Sequence, residues 1–131
     1  MTQTTCELRV RYSETDKMGV VYYANYFAWF EVGRSDLLRQ RGMSYRELES
    51  QDVILPVVEA QCRYVKSARY DDLIRITTQA IPSSRVRIHF DYEIHRAADE
   101  ELLATGTTDH VAVNSRGKPR RLPEKVMRIL E

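Results

Sequence analysis

The sequence predicts an α+β fold in which an antiparallel five-stranded sheet wraps around one long central helix. Five segments alternate apolar and polar residues with the period of two that is typical of half-buried strands. One segment, residues 22–41, instead repeats apolar residues at three- to four-residue spacing. This helix follows the first strand and precedes the other four, so it must pack on one face of their sheet. A length of 131 residues allows one domain, and we expect residues 1–131 to form it.

The bounds of the elements follow from where each periodicity starts and stops. Gly42 follows a basic last turn and ends the long helix, while Ser44 and Glu47 have the spacing of a capping box. Strands that are consecutive in the sequence are expected to pair as antiparallel neighbours. In chain order we predict a strand at 6–12, a polar loop at 13–19, a helix at 22–41, a short helix at 45–50, strands at 58–64, 74–80, 86–94 and 102–114, and a short helix at 123–130.

Two features of these segments predict how they pack. Cys6 and Cys62 lie on the apolar sides of their strands, which predicts buried free thiols rather than a disulfide. The last strand carries a row of small residues on one face, which would let a helix approach closely, and Gly33 would help from the helix side. The small residues are Ala104, Gly106, Thr108 and Ala112.

Composition and charge exclude several classes of protein. With 43% hydrophobic and 30% charged residues, the chain is typical of a globular protein and not of a disordered one. Its net charge of +1 argues against a nucleic-acid partner held by phosphate contacts. No apolar run reaches the roughly 20 residues that span a bilayer, and the N-terminal residues lack the pattern of a secretory signal. We therefore expect a cytoplasmic protein without a membrane span.

The motifs of several common kinds of active site are missing from the sequence. No nucleophile elbow, glycine-rich phosphate loop or metal-ligand spacing is present, so we expect no metal. His89 and His95 fall on the polar face of their strand, which favours solvated side chains. His110 shares the face of the small residues and is predicted to be a hydrogen-bonded core or interface histidine.

Asp16 has two interpretations that the spacing leaves open. It lies in the loop that leads to the long helix, where a turn former or helix N-cap is the commoner role. The alternative is a catalytic carboxylate, because the free N–H groups at a helix start can hold a developing oxyanion beside it. Such a pair would serve acyl transfer without a serine, a cysteine or a metal.

Residues 12–26, YSETDKMGVVYYANY, resemble the active-site segment of hotdog-fold acyl-CoA thioesterases. The resemblance is to the branch that contains the 4-hydroxybenzoyl-CoA thioesterases and the YbgC-like enzymes. Residues 30–34 are similar to the central helix of that family, residues 64–72 to the exit of its second strand, and residues 118–123 to its C-terminal segment. The matches follow in the family's order and cover nearly the whole chain.

The resemblance implies a role for particular residues. It makes Asp16 the catalytic carboxylate and the amide of Tyr23 the group that polarises the thioester carbonyl; many YbgC-like relatives carry His at the position of Tyr23. Glu31 is the competing helix carboxylate, for which a structural ion pair is the favoured interpretation. The implied substrate-binding residues are Gly19, Val20, Val21, Tyr22 and Tyr26. The basic residues expected to meet the phosphates of coenzyme A are Lys66, Arg69, Lys118, Arg120 and Arg121, although such residues are more often plain solvated surface.

The function predicted from these features is the hydrolysis of an acyl-CoA, short-chain aliphatic or aromatic, to free acid and CoA. Asp16 would act as nucleophile or as general base, and no cofactor is expected besides the coenzyme A of the substrate. A hotdog dehydratase acting on hydroxyacyl thioesters and a non-catalytic acyl-CoA-binding module are the alternatives. The resemblance also implies a homodimer whose sheets join, or a tetramer, with active sites between subunits.

Overall fold

The computed structural model describes residues 2–131 and shows the α+β architecture that the sequence predicts. One five-stranded antiparallel sheet curves around a single long helix. The strands are β1 (Thr2–Arg9), β2 (Val57–Tyr64), β3 (Leu73–Pro82), β4 (Arg87–Arg96) and β5 (Glu101–Val111), and the helices are α1 (Asn25–Gln40), α2 (Tyr45–Ser50) and α3 (Glu124–Ile129). The two short helices lie within a residue or two of their predicted bounds.

The order of strands across the sheet is β1-β3-β4-β5-β2, so the prediction that consecutive strands are neighbours is wrong for β2. It is correct for the meander β3-β4-β5, where short turns link the strands. Residues 65–72 link β2 to β3 and are long enough to cross the three strand spacings between them, about 14 Å. On the way this connection is held by the N–H groups of Val10 and Val21, which donate to Asp72 and Ala68 at 2.9 Å each.

Helix α1 packs through one stripe of side chains whose spacing follows the helical period. Gly106 on β5 admits the ring of Phe30, because a Cβ at that position would lie 2.3 Å from the ring. Gly33 allows an equally close approach, but to Thr78 and Ile76 of β3, not to β5 as the small-residue pattern suggests. The buried residues of the helix are Tyr26, Trp29, Phe30, Gly33, Leu37 and Leu38.

The chain leaves β1 earlier and enters α1 later than the periodicity predicts. Strand β1 ends at Arg9, and Tyr12 starts a short 3-10 turn with its ring 76% exposed, so its predicted place on the apolar face is wrong. Helix α1 begins at Asn25 and not near Tyr22, and the Tyr22 N–H donates to Glu14 O at 2.8 Å. Tyr23 therefore precedes the helix.

The cysteines and histidines sit close to their predicted environments. Cys6 and Cys62 are free and half-buried, and burial raises the pKa of the Cys6 thiol to about 11. His89 lies on the outward face as predicted but is held between Asp109 and Asp91, at 2.9 and 2.8 Å. Burial opposes its protonation, yet these hydrogen bonds outweigh burial and raise its pKa.

His110 is the buried, hydrogen-bonded histidine that the sequence predicts. It is fully buried, with Nδ1 2.9 Å from Leu55 O and Nε2 2.9 Å from Thr108 Oγ1. Burial is the largest influence and lowers its pKa to about 4. The side chain is therefore a neutral core residue.

This depressed pKa predicts a loss of stability in mild acid. The unfolded chain takes up a proton near pH 6.5 while the folded imidazole stays neutral, so the contribution of His110 is complete above pH 6.5 and is lost between pH 6.5 and 4. The free energy of unfolding should fall by up to about 3 kcal/mol over that window. Urea denaturation at several pH values, compared with His110→Gln, isolates the effect because other groups titrate alike in both proteins. Parallel pH curves would show that His110 does not contribute.

Candidate active site

A cleft of about 230 Å³ opens where the Asp16 loop, the start of α1 and the exit of β2 meet. Its walls are mostly apolar or aromatic, with the Asp16 carboxylate among the few polar groups. The lining residues are Asp16, Met18, Val20, Val21, Tyr23, Tyr26, Tyr64, Val65, Lys66 and Ser67. A small apolar cleft with a few convergent polar groups is the usual form of a ligand site.

Asp16 sits on a tight turn that leaves part of its carboxylate available. Its Oδ1 accepts the Met18 N–H at 2.9 Å, and its carbonyl accepts the Gly19 N–H at 3.0 Å. Gly19 has φ +78°, the left-handed conformation that this turn requires and that glycine adopts without strain. The Asp16 N–H closes the turn by donating to Val20 O at 3.0 Å. These contacts hold the carboxylate at the cleft while Oδ2 takes no hydrogen bond within residues 2–131.

The amide of Tyr23 is a free donor beside the cleft. The Ala24 N–H likewise has no acceptor among the described residues, whereas the N–H groups of Asn25, Tyr26 and Phe27 donate to carbonyls one turn back, at 3.0, 3.3 and 3.2 Å. The Tyr23 N–H has no acceptor in the described part of the chain. Its own carbonyl is held by Tyr64, whose hydroxyl donates to it at 2.8 Å. A carbonyl oxygen in the cleft could therefore accept this N–H.

Aromatic rings form much of the wall. Tyr26 is 2% exposed, and its hydroxyl accepts the Ala68 N–H at 3.2 Å. Burial is the main cause that raises the pKa of this phenol, so it stays neutral. The rings of Tyr26 and Tyr64 meet edge to face with centroids 4.9 Å apart, and Tyr23 packs similarly against Tyr64 at 6.3 Å.

The structure brings together only some of the basic residues predicted to contact coenzyme A. Lys66 lines the cleft and forms an ion pair with Glu101, while Arg69 lies behind the Asp16 turn with Nη1 3.5 Å from Gly19 O. The segment 118–121 lies beside the other end of β5, since the Arg120 N–H donates to Ala112 O at 2.9 Å. Tyr64 pairs with Ala104, eight residues earlier on that strand, so about 26 Å separate the two groups within one protomer. The residues far from the cleft are Lys118, Arg120 and Arg121.

The cleft contains residues that the sequence does not predict, and some of the predicted residues lie outside it. Gly19 shapes the Asp16 turn but does not line the cleft, and Tyr22 lies outside it, with its ring tilted against that of Tyr23 and centroids 4.9 Å apart. The unpredicted lining residues are Met18, Tyr64, Val65 and Ser67. Tyr64, Val65 and Ser67 belong to the segment 64–72 whose likeness to the thioesterases was noted, but which of its side chains face the cleft depends on how β2 pairs.

A buried carboxylate anchors the loop that carries Asp16. Glu14 is 7% exposed, and its carboxylate accepts the Arg11 N–H at 2.8 Å and the Trp29 indole N–H at 2.9 Å. Nothing in the local sequence separates this glutamate from a surface one. Its burial depends on Trp29, which lies fifteen residues later on α1.

Other kinds of site are not indicated. Across residues 2–131 no cluster of three or more His, Cys, Asp or Glu side chains is arranged to hold a metal ion. None of the three histidines lines the cleft of the described chain. Among these residues, no helix combines the length and the apolar character needed to cross a bilayer.

Comparison with known proteins identifies the family of the chain. A family model described as the thioesterase-like superfamily matches residues 10–130. The chain is 32% identical over 121 residues to the Escherichia coli acyl-CoA thioester hydrolase YbgC, covering 92% of this chain and 90% of that protein.

Solved structures give the same result for the fold. A 1,4-dihydroxy-2-naphthoyl-CoA thioesterase from Synechocystis superimposes with a TM-score of 0.92 at 27% identity, covering 98% of this chain and 95% of the other. A DHNA-CoA thioesterase from Staphylococcus aureus superimposes with a TM-score of 0.88 at 39% identity, covering 93% and 82%. The chain has the hotdog architecture of these thioesterases, which its loop and helix also resemble in sequence. It belongs to the thioesterase-like superfamily.

Proposed function

We propose that the protein is an acyl-CoA thioester hydrolase in which Asp16 and the Tyr23 amide act on the two atoms of one thioester carbonyl. The observation that carries the proposal is the free Tyr23 N–H beside a carboxylate in the same small cleft. A thioester oxygen that accepts this N–H presents its carbon to Asp16. The amide stabilises the charge that develops on that oxygen, where a fixed donor has its largest effect on rate.

Two routes fit this arrangement. As a general base, Asp16 takes a proton from water, the water oxygen bonds to the acyl carbon, the C–S bond breaks, and the departing CoA thiolate takes up the proton that Asp16 had accepted. As a nucleophile, an Asp16 oxygen bonds to the acyl carbon and expels CoA, and water then hydrolyses the mixed anhydride to free acid and carboxylate. Neither route requires a group beyond the chain, water and the substrate.

The dimensions of the cleft favour a small acyl group. Its volume of about 230 Å³ lies below the roughly 300–1,000 Å³ of pockets for drug-sized ligands, so a short aliphatic chain or a compact aromatic group fits better than a long fatty chain. The exposed ring of Tyr64 on the cleft wall favours a planar ring, because aromatic pairs gain from edge and face contacts. One structural neighbour is named a 1,4-dihydroxy-2-naphthoyl-CoA thioesterase, and another is named a DHNA-CoA thioesterase.

Release of free CoA from a panel of aliphatic and aromatic acyl-CoAs tests this proposal. We expect turnover with at least one short or aromatic acyl-CoA and little with a long-chain one. Binding without release would indicate the acyl-CoA-binding module, and water loss from a hydroxyacyl thioester would indicate the dehydratase. Either result would overturn the proposed function.

The proposed CoA contacts divide into two groups that can be tested against each other. Lys66 and Arg69 stand by the cleft, whereas Arg120 and Arg121 reach it only if a neighbouring subunit supplies them. Replacing Arg120 and Arg121 with Ala should raise KM for acyl-CoA, leave kcat nearly unchanged, and spare a short acyl thioester without the nucleotide. The same KM and kcat measurements on a variant in which both Lys66 and Arg69 are replaced serve as the comparison. Equal losses on both substrates would assign Arg120 and Arg121 a structural role.

We propose a homodimer joined along β2, with a tetramer as the larger assembly. Strand β2 forms one edge of the sheet, and most of its side chains are exposed, including the apolar Val57, Val58 and Tyr64. Such an edge is a template for pairing with another strand. Light scattering should give at least twice the 15.3 kDa of one chain, and a 15.3 kDa particle at working concentrations would contradict the dimer.

A further inference from the structure

Glu14 is an acidic residue behind the cleft whose hydrogen bonds are all made inside the fold. The Arg11 N–H donates to its Oε1 at 2.8 Å, and the Trp29 indole donates to its Oε2 at 2.9 Å, so both carboxylate oxygens are engaged. Trp29 is 2% exposed, which makes the second bond a buried one. Hydrogen bonds to a charged acceptor in such surroundings are stronger than neutral ones.

The backbone of the same residue makes a second pair of contacts. The carbonyl of Glu14 accepts the Tyr22 N–H at 2.8 Å and the Asn25 side-chain amide at 2.9 Å. Glu14 thus receives four hydrogen bonds, from the turn before it, from the residue that precedes Tyr23, and from the first two turns of α1. It is the point at which the Asp16 loop is fastened to the helix.

We infer that Glu14 is a positioning residue, which sets the distance between the Asp16 carboxylate and the Tyr23 amide. Asp16 follows Glu14 by two residues, and Tyr23 follows Tyr22 directly, so both groups are placed through the same anchor. A displacement of a reacting group by about 1 Å can lower the rate by about 100-fold. The inference rests on the proposed function, because it assigns Glu14 a part in that reaction.

Glu14 does not itself act on the substrate. It is absent from the lining of the cleft, and its two oxygens already accept hydrogen bonds. Its influence must therefore pass through Asp16 and Tyr23. This separates it from Asp16, which lines the cleft.

Glu14→Gln and Trp29→Phe test the inference as a double-mutant cycle. A glutamine offers one acceptor oxygen to two donors, so its NH₂ group must face either the Arg11 N–H or the Trp29 indole. We expect kcat to fall by about 10- to 100-fold, with KM within about threefold, in folded Glu14→Gln. In Trp29→Phe the indole donor is gone. In that background, the loss of kcat caused by Glu14→Gln should be at least about fivefold smaller than in the wild type.

Two structural measurements accompany the kinetics. Trp29 is the single tryptophan of the chain, so its indole N–H gives one NMR resonance, which should shift when Glu14 becomes Gln. Hydrogen exchange at the Met18 and Gly19 amides, which close the Asp16 turn, should accelerate while exchange in β4 and β5 stays unchanged. Glu49→Gln removes an exposed carboxylate on α2 and serves as the matched control, with no expected change.

The outcomes distinguish this inference from the proposed function. A wild-type protein that releases no CoA from any acyl-CoA overturns the proposed reaction, and with it the role of Glu14 in that reaction. Active wild-type protein together with a folded Glu14→Gln variant that keeps kcat within about twofold overturns only the positioning role. Unchanged hydrogen exchange at the Met18 and Gly19 amides also overturns the positioning role. The same holds if the loss of kcat in the double variant equals the product of the two single losses.

Discussion

Asp16→Asn should lower kcat for acyl-CoA hydrolysis by at least about 100-fold while KM changes little. Asparagine keeps the shape of the side chain and an oxygen that can accept the Met18 N–H, so the turn should survive. It cannot act as an anion, and therefore it can neither take a proton from water nor attack the acyl carbon. If Asp16 only shaped the turn, the cost would be about 1 kcal/mol of stability, and the folded variant would still turn over.

Steady-state kinetics on the best substrate of the panel, with folding checked by circular dichroism, measure this effect. A folded Asp16→Asn protein with near-normal kcat would remove the catalytic role. Met18→Ala is a useful comparison, because it alters the same turn and the cleft wall but leaves the carboxylate in place. Its losses should appear in KM more than in kcat.

Single-turnover hydrolysis in H₂¹⁸O then separates the two routes open to Asp16. In the nucleophilic route, water that attacks the Asp16 carbonyl carbon of the mixed anhydride leaves label in the Asp16 carboxylate, so label there demonstrates the anhydride. In the general-base route water attacks the thioester directly, and label appears only in the released acid. Mass spectrometry of the peptide that contains Asp16 distinguishes these results.

Gly106→Ala should lower the free energy of unfolding by about 2–3 kcal/mol, the upper part of the usual range for overpacking. A Cβ there would lie 2.3 Å from the ring of Phe30 and 2.7 Å from the backbone oxygen of Gln61. Phe30 is fully buried and stacks on Tyr92 with centroids 4.3 Å apart, so the ring has no free space to enter. The carbonyl of Gln61 belongs to the neighbouring strand β2 and can move only with it.

Urea denaturation midpoints check this prediction. Thr107→Ala, at the next position of β5 and on the opposite face, is the control and should cost less than about 1 kcal/mol. Phe30→Leu should be less harmful in the Gly106→Ala background than in the wild type, because it removes the ring that the new methyl group meets. Equal costs in both backgrounds would contradict this account of the packing.

Local patterns in the sequence determined the kind and the approximate bounds of the elements. The alternation in β3, β4 and β5 and the helical period of α1 come from side chains that face one core, so they can be read without knowing the partners. The capping-box spacing of Ser44 and Glu47 similarly located α2, where the Ser44 hydroxyl accepts the Glu47 N–H at 3.1 Å. The resemblance of residues 12–26 to the thioesterases singled out Asp16 and Tyr23.

The tertiary structure decided which distant residues meet. The position of β2 at the sheet edge depends on how a long connection crosses the sheet, and that choice placed Tyr64 on the wall of the cleft. The burial of Glu14 depends on Trp29, and the separation of residues 118–121 from the cleft depends on the full length of β5. Such long-range pairings carry no local period. They are set by the free energy of packing the whole sheet around one helix, and that packing exists only in the folded chain.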